Sequence, residues 1–217
     1  MANARVSAAV VRRLPSYYRY LSTLERQGVQ RISSQELGVR MGLTASQIRQ
    51  DINCFGTLGQ QGYGYNVAEL KNYIGGILGL DRSYSLVIAG AGNIGRAVAA
   101  YPGFLQSDVH VRALFDVDAS LFGQSVGGAP IYPLHEMAAF IQKSNCRIGV
   151  VAVPAPEAQS VADLMIEAGI RAIWNFAPVD LAVPDAIALG NVHLTDSLLV
   201  LLYGLKEKQA ELGSLSD

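Results

Sequence analysis

Cysteine is nearly absent from this chain, and so is histidine. Cys54, Cys146 and three histidines are scattered over 217 residues, without the paired spacing that a zinc site or a disulfide framework needs. No metal and no disulfide is expected. Charge is sparse too: Asp, Glu, Lys and Arg make up 16% of the residues against 50% hydrophobic ones, which excludes a disordered chain and a coiled coil. Long hydrophobic runs are also missing. The longest, around Leu198 and Leu205, falls far short of the ~20 apolar residues of a membrane span. The Arg-containing N-terminus has no signal-peptide core. The expectation is a globular cytoplasmic protein without a membrane partner, long enough to build two modest cores.

The little charge present is unevenly placed. Residues 1–80 carry +5 and residues 81–217 carry −6, which the net charge of −1 conceals. The two parts are expected to meet different partners, and nucleic acid suits the basic one.

Residues 7–27 read as a helix, because Leu14, Tyr17, Tyr18, Leu21 and Leu24 recur at three- and four-residue spacings and so share a face. Pro15 should kink or interrupt it. Ser33 or Ser34 then caps a short helix that Gly42 ends, and Thr44 opens another through Phe55. A helix pair joined by so short a turn can lay its second member in the DNA major groove. On that member Ala45, Ile48, Ile52 and Phe55 form an inward face. Ser46, Gln47, Arg49, Gln50 and Asn53 point elsewhere and suit groove contacts. Ser33, Ser34, Thr44 and the basic pair Arg12 and Arg13 complete the candidate DNA-contacting set, although Ser33 and Thr44 equally fit plain caps. Residues 56–66 hold four glycines before β-prone aromatics, which suits the hairpin of a winged helix and adds Gln60 and Gln61 as wing residues.

The texture changes at Ser83. A short β-branched strand runs into Gly90, Ala91, Gly92, Asn93, Ile94 and Gly95, and a helix over 96–101 follows. In this G-x-G-x-x-G pattern the first glycine permits the tight turn, the second lets backbone approach a pyrophosphate, and the third lets helix and strand pack closely. Asp116 ends the next strand, 26 residues after Gly90, where an acid accepts ribose hydroxyls and repels a 2′-phosphate. NAD(H) is favoured over NADP(H). An alternative role for Asp116 or Asp118 is to cap the following turn. Strands over 147–153 and 170–176 flank a helix over 159–169, so a doubly wound parallel sheet is expected. That arrangement brings Val117, Val153, Pro154, Asn175, Phe176, Ala177 and Pro178 to the carboxyl ends of the strands. The last helix, about 195–212, opens apolar on all sides, which requires two covering surfaces. It is either an internal helix or one inserted into a second subunit.

Taken together, Arg13-Leu-Pro-Ser-Tyr-Tyr-Arg19, Arg31-Ile-Ser-Ser-Gln-Glu-Leu37, Gln47-Ile-Arg-Gln-Asp51, Gly62-Tyr-Gly-Tyr65, the glycine turn, Tyr101-Pro-Gly-Phe104, Phe115-Asp-Val-Asp118 and the stretch from Gly169 through Asn175-Phe-Ala-Pro178 resemble the Rex redox-sensing transcriptional repressors over nearly the whole chain. The resemblance implies an α/β homodimer. Residues 1–80 would form a winged helix on an inverted-repeat operator, 81–194 a Rossmann domain binding NADH or NAD, and 195–217 a swapped C-terminal helix. It implies DNA binding when NADH is scarce and release when NADH accumulates. Arg49 matches a DNA-contacting position, Asp116 the ribose ligand, Tyr101 the aromatic beside the nicotinamide, and Arg19 the switch arginine. Gln50, Gln60 and Gln61 stand where the family carries basic residues. His193 stands where an acidic partner of Arg19 is expected, and Asp196 could replace that acid. An NAD-dependent dehydrogenase or a CoA-binding module remains the competing reading.

Overall fold

The computed structural model describes residues 6–55, 63–103 and 108–213. The chain forms two compact units, Met1–Arg82 and Ser83–Asp217. Together they make a mixed α/β protein in which a helical unit precedes a mostly parallel sheet.

In the first unit, α1 (Ala8–Arg26) is capped by Ser7 and runs through Pro15 without a break. The expected interruption does not occur. Pro15 removes one N–H from the helix interior, but Leu14, Tyr17 and Leu21 on either side of it are almost fully buried and hold both halves in one register. After β1 (Arg31–Ile32), the helix pair is α2 (Ser34–Met41) and α3 (Ala45–Asn53). The turn between them is tight: a Cβ on Gly38 would lie 2.6 Å from the Leu43 carbonyl oxygen. Next come β2 (Tyr65–Asn66) and α4 (Val67–Ile77), a helix the sequence reading passed over. α4 packs on α1, and both feed one core with Leu37, Ile48 and Ile52. β2 pairs antiparallel with β1, Ile32 opposite Tyr65. The described end of the glycine-rich stretch, Tyr65–Asn66, thus pairs with a strand that precedes the helix pair. Most of that stretch, with Gln60 and Gln61, lies outside the described residues.

The second unit holds β3 (Tyr84–Ala89), α5 (Asn93–Ala99), β4 (Val109–Asp116), β5 (Ser125–Val126), β6 (Ala129–Pro133), α6 (Met137–Ser144), β7 (Ile148–Val151), α7 (Ala155–Ala168), β8 (Ala172–Asn175), β9 (Ala188–Asn191) and α8 (Leu194–Gly213). The sheet order is β5-β6-β4-β3-β7-β8-β9, parallel except between β5 and β6. From β3 the chain steps outward through β4 to β6, then returns to β7 on the other side of β3. Ligands of such sheets bind at that reversal, beyond the carboxyl ends of the strands. Alternate residues of β3 face opposite layers: Val87 and Ala89 pack with α6 and α7, Leu86 and Ile88 with the α5 side.

Two helices start earlier than their sequence limits. α5 begins directly after Gly92, and α7 begins at Ala155, because Pro156 in a first turn needs no N–H partner and favours initiation. α8 keeps its apolar circumference uncovered within the chain, with Leu198, Leu199, Val200, Leu201, Leu202, Tyr203 and Leu205 between 50% and 72% exposed. Among the described residues no helix is long and apolar enough to cross a membrane.

Candidate dinucleotide and nucleic-acid sites

Each glycine of the turn after β3 meets a different demand. Gly90 sits at φ +97, and a Cβ there would come within 2.3 Å of the Ala152 carbonyl oxygen. Gly95 is still more constrained, its Cβ falling 1.9 Å from the Gly90 carbonyl oxygen. Gly92 has open space instead, with nothing within 4 Å of such an atom. This is the geometry of a backbone left bare for a ligand.

Asp116 closes the turn from the neighbouring strand. Its Oδ2 accepts from the Ala91 N–H at 2.6 Å, and its Oδ1 accepts from the Val117 and Asp118 N–H groups at 2.8 and 3.0 Å. The turn-capping role and the ligand-facing position coexist in one carboxylate. Asp118 caps separately, accepting from Ser120 N–H and hydroxyl, and these bonds hold its pKa below the usual carboxylate range.

A cavity of about 640 Å³ opens here, within the size range of cofactor sites. Gly90, Gly92, Asn93, Ile94, Asp116 and Val117 line it, together with Val153, Pro154, Phe176 and Pro178. Asp116, Val117 and Leu134 also border a second cavity of about 470 Å³, walled further by Phe122, Pro133, His135 and Leu164. Ala152, Leu134, Glu157 and Val161 were not anticipated as lining. For Ala152, Glu157 and Val161 the signal was the strand-to-Pro154 junction, which places the start of α7 at the reversal; Leu134 enters from the turn after β6.

Not every expected residue reaches the cavity. Ala91, Gly95 and Ala177 are buried behind it. Asn175 is fully buried as well: its Nδ2 donates to Val179 O at 2.7 Å and Asn191 Oδ1 at 3.0 Å, and its Oδ1 accepts from Ala177 N–H at 3.0 Å. Its amide knots β8 to β9 and is taken up in framework bonds rather than offered to a ligand. Tyr101 follows α5 on the surface, 59% exposed, and is not part of the cavity wall.

In the first unit two capping boxes stand end to end. Ser33 and Glu36 close α2, Thr44 and Gln47 close α3, each pair exchanging side-chain and backbone bonds. The Ser33 backbone N–H and hydroxyl hold the Glu36 pKa below its ordinary value. Ser33, Thr44 and Gln47, expected at DNA, are thus engaged in capping first. Ser46, Arg49, Gln50 and Asn53 are exposed on α3, and an Arg49 Nη donates to Ser34 Oγ at 3.0 Å. Arg12 is exposed as well. Arg13 is not free for DNA in the way expected: its Nε and one Nη donate to the two oxygens of Asp51 at 2.7 Å each. Asp51 is 3% exposed and was not singled out from sequence, although an acid between Ile48 and Ile52 on the inward face was the available signal.

His193 and Asp196 flank the start of α8. His193 Nε2 lies 3.2 Å from Asp180 Oδ1, so the residue carries a carboxylate neighbour, and the Asp196 N–H donates to the His193 carbonyl. Arg19, in the other unit, donates to Ser16 Oγ.

Residues 5–53 match the family model described as "Putative DNA-binding protein N-terminus", and residues 81–179 match the one described as "CoA binding domain". A helix-turn-helix reader joined to a nucleotide-type sheet defines the class of ligand-responsive transcriptional regulators. The redox-sensing transcriptional repressor Rex of Clostridium beijerinckii is 51% identical over 94% of this chain and 97% of its own length. That of Thermoanaerobacter pseudethanolicus is 49% identical over 94% and 92%. Among solved structures, RSP in complex with β-NAD⁺ and operator DNA is 48% identical, covers 98% of both chains and superposes with a TM-score of 0.89. RSP in complex with β-NADH superposes at 0.90, 46% identical over 97% of this chain and 99% of that one. The chain belongs to the Rex family of redox-sensing transcriptional repressors.

Proposed function

We infer that this chain is an NADH-responsive repressor: as a homodimer in the cytoplasm it binds operator DNA at low NADH/NAD⁺ ratio and leaves it when NADH binds. Its activity is regulation, as in its repressor relatives, and not catalysis. The observation that carries the reading is the Asp116 carboxylate held against the bare glycine turn, in the same chain as a helix-turn-helix unit.

The residues present fit a dinucleotide. Backbone N–H groups from Gly92 to Ile94 would meet the pyrophosphate, and Asp116 the adenosine ribose. A 2′-phosphate would meet that carboxylate's charge and be rejected. Val117 and the adjoining cavity would take the adenine, while Val153, Pro154, Phe176 and Pro178 supply an apolar bed for the nicotinamide end. The reduced nicotinamide ring is neutral and the oxidised one cationic. An apolar bed penalises the cation, which favours NADH, with Tyr101 closing over the ring.

On the DNA side, Ser46, Arg49, Gln50 and Asn53 of α3 face the major groove. Ser34 supports Arg49. The domain division follows 1–80, 81–194 and 195–217. α8 enters the second subunit, since eight exposed apolar residues in one helix, Leu194 included, need a second copy to cover them. Arg19 pairs with Asp196 in one state and is released in the other, with His193 held by Asp180 instead.

The test is fluorescence anisotropy on an operator duplex selected from random sequence. NADH should release the protein at concentrations where NAD⁺ does not. Binding indifferent to both dinucleotides would overturn the reading.

A further inference from the structure

Asp51 raises a question that the operator contacts do not answer. It sits on the helix that faces DNA, yet it is 3% exposed. Burying a carboxylate is costly unless its oxygens are matched. Here they are matched from one element: Arg13 Nε donates to Oδ2 and an Arg13 Nη to Oδ1, both at 2.7 Å, while Tyr17 donates its hydroxyl to Oδ2 at 2.6 Å. Arg13 and Tyr17 are four residues apart on α1 and so share a face.

Around the triad, these helices also contribute apolar residues to one core. Leu14, Tyr17, Leu21, Ile48 and Ile52 belong to one cluster, and such packing is largely non-directional. It restrains rotation of α3 about its own axis less directionally than a bidentate guanidinium–carboxylate pair, in which two parallel bonds fix both distance and angle. At 3.6 residues per turn, Arg49 and Asn53 each lie about 200° around the axis from Asp51. Ser46 falls on the same outward side, three residues before Arg49. Pinning Asp51 inward therefore sets where these three side chains point.

We propose that the Arg13, Tyr17 and Asp51 triad is a positioning lock that fixes the rotational setting of α3 and thereby the discrimination between operator and other DNA. This rests on α3 being the DNA-reading helix. A buried ion pair is a poor means of adding stability, since apolar residues of similar volume often serve as well. What the bidentate pair adds to such packing is direction, and on this proposal α3 depends on it.

That contrast gives the experiment, made on the full-length protein. The triple variant Arg13→Leu, Tyr17→Phe, Asp51→Leu replaces the lock by apolar contacts. Affinity for operator and for a scrambled duplex is measured across a salt series, alongside thermal melting and NADH titration. The triple variant should melt cooperatively and bind NADH as the wild type does, while its operator-to-scrambled ratio falls at least about tenfold from the large ratio typical of specific readers. Its salt slope on scrambled DNA should stay the same. A folded triple variant with wild-type discrimination overturns the proposal. So does a slope reduced by about one, which would make Arg13 a phosphate contact. Should the triple variant not fold, Tyr17→Phe removes one bond at nearly constant volume and should still lower the ratio a few-fold; an unchanged ratio overturns the lock. Arg49→Ala separates the two levels. If it weakens operator binding while the lock variants discriminate normally, only the lock fails; if it has no effect, the reading of α3 fails with it.

Discussion

The two units build their sites from different materials. In the sheet unit the candidate site is mainly backbone: a glycine turn whose atoms approach one another too closely for any side chain, closed by a single carboxylate. In the helical unit it is side chain throughout, presented on an exposed helix face and steadied by caps and a buried triad. A backbone site is destroyed by adding atoms and a side-chain site by removing them. Substitutions of opposite kind should therefore be damaging in the two units.

The largest expected effect bears on α8, whose apolar residues its own chain leaves exposed. Truncation after Asn191 should abolish the dimer in sedimentation equilibrium. Losing two-half-site engagement should weaken operator binding by about 10²-fold or more. A gentler variant, Leu198→Glu with Leu202→Glu, keeps the helix and should have the same direction. A dimeric truncation product that still binds operator would refute subunit exchange of this helix.

Next in size is Gly95→Val, which adds atoms where a Cβ already falls 1.9 Å from the Gly90 carbonyl oxygen. Overpacking of this kind costs about 1–3 kcal/mol and displaces backbone. NADH titration should show at least a tenfold loss, while operator binding persists without responding to NADH. Unimpaired NADH binding would mean that α5 can shift freely, and the contrast between backbone and side-chain sites would lose its basis.

The same contrast decides what could be read from the sequence. The glycine spacing and Asp116 were legible because backbone constraints restrict residue type directly: Gly90 and Gly95 have no substitutes. The helix caps were legible for a similar reason, as Ser33 and Thr44 have the local partners Glu36 and Gln47 three residues on. Long-range pairing was not. Nothing in the local pattern joins Arg13 to Asp51 across 38 residues, β1 to β2, or Asn175 to Asn191. Pro15 misled because a local helix breaker is overridden when flanking residues are buried on both sides. α4, α6 and the short strands β5, β6 and β9 were passed over, being brief or masked by glycine and proline.

A matched pair of truncating substitutions sharpens the comparison at equal magnitude. Asp116→Ala should weaken NADH binding by about 1–3 kcal/mol, the range for a lost bond to a charged group, and narrow the preference over NADPH. Arg49→Ala should cost a similar ~1–3 kcal/mol in operator binding if it reads a base. Each should leave the other ligand's affinity unchanged in the absence of its partner ligand. An Asp116→Ala protein with an unaltered NADH isotherm would remove that carboxylate from the site.

The smallest effect concerns acid. Burial works against the Asp51 carboxylate, but the hydrogen bonds from Arg13 and Tyr17, with the Arg13 charge, outweigh it and hold its pKa below the ordinary value. The unfolded chain leaves that group near the reference value of about 4. A depressed native pKa stabilises the fold above the unfolded value and loses that contribution as pH falls through the native one. The window is therefore below about pH 4, and at neutral pH the contribution is complete. Asp51→Asn should lower the melting temperature of the full-length protein at pH 7. The gap between variant and wild type should narrow steadily on acidification below pH 4, because the wild type is then losing what the variant never had. Glu36→Gln serves as the exposed counterpart. Its carboxylate is also shifted down, by Ser33, yet it is solvated, so its own gap should be small at every pH. Parallel melting curves for wild type and Asp51→Asn from pH 7 to 3 would show that the buried carboxylate is not what ties α3 to α1.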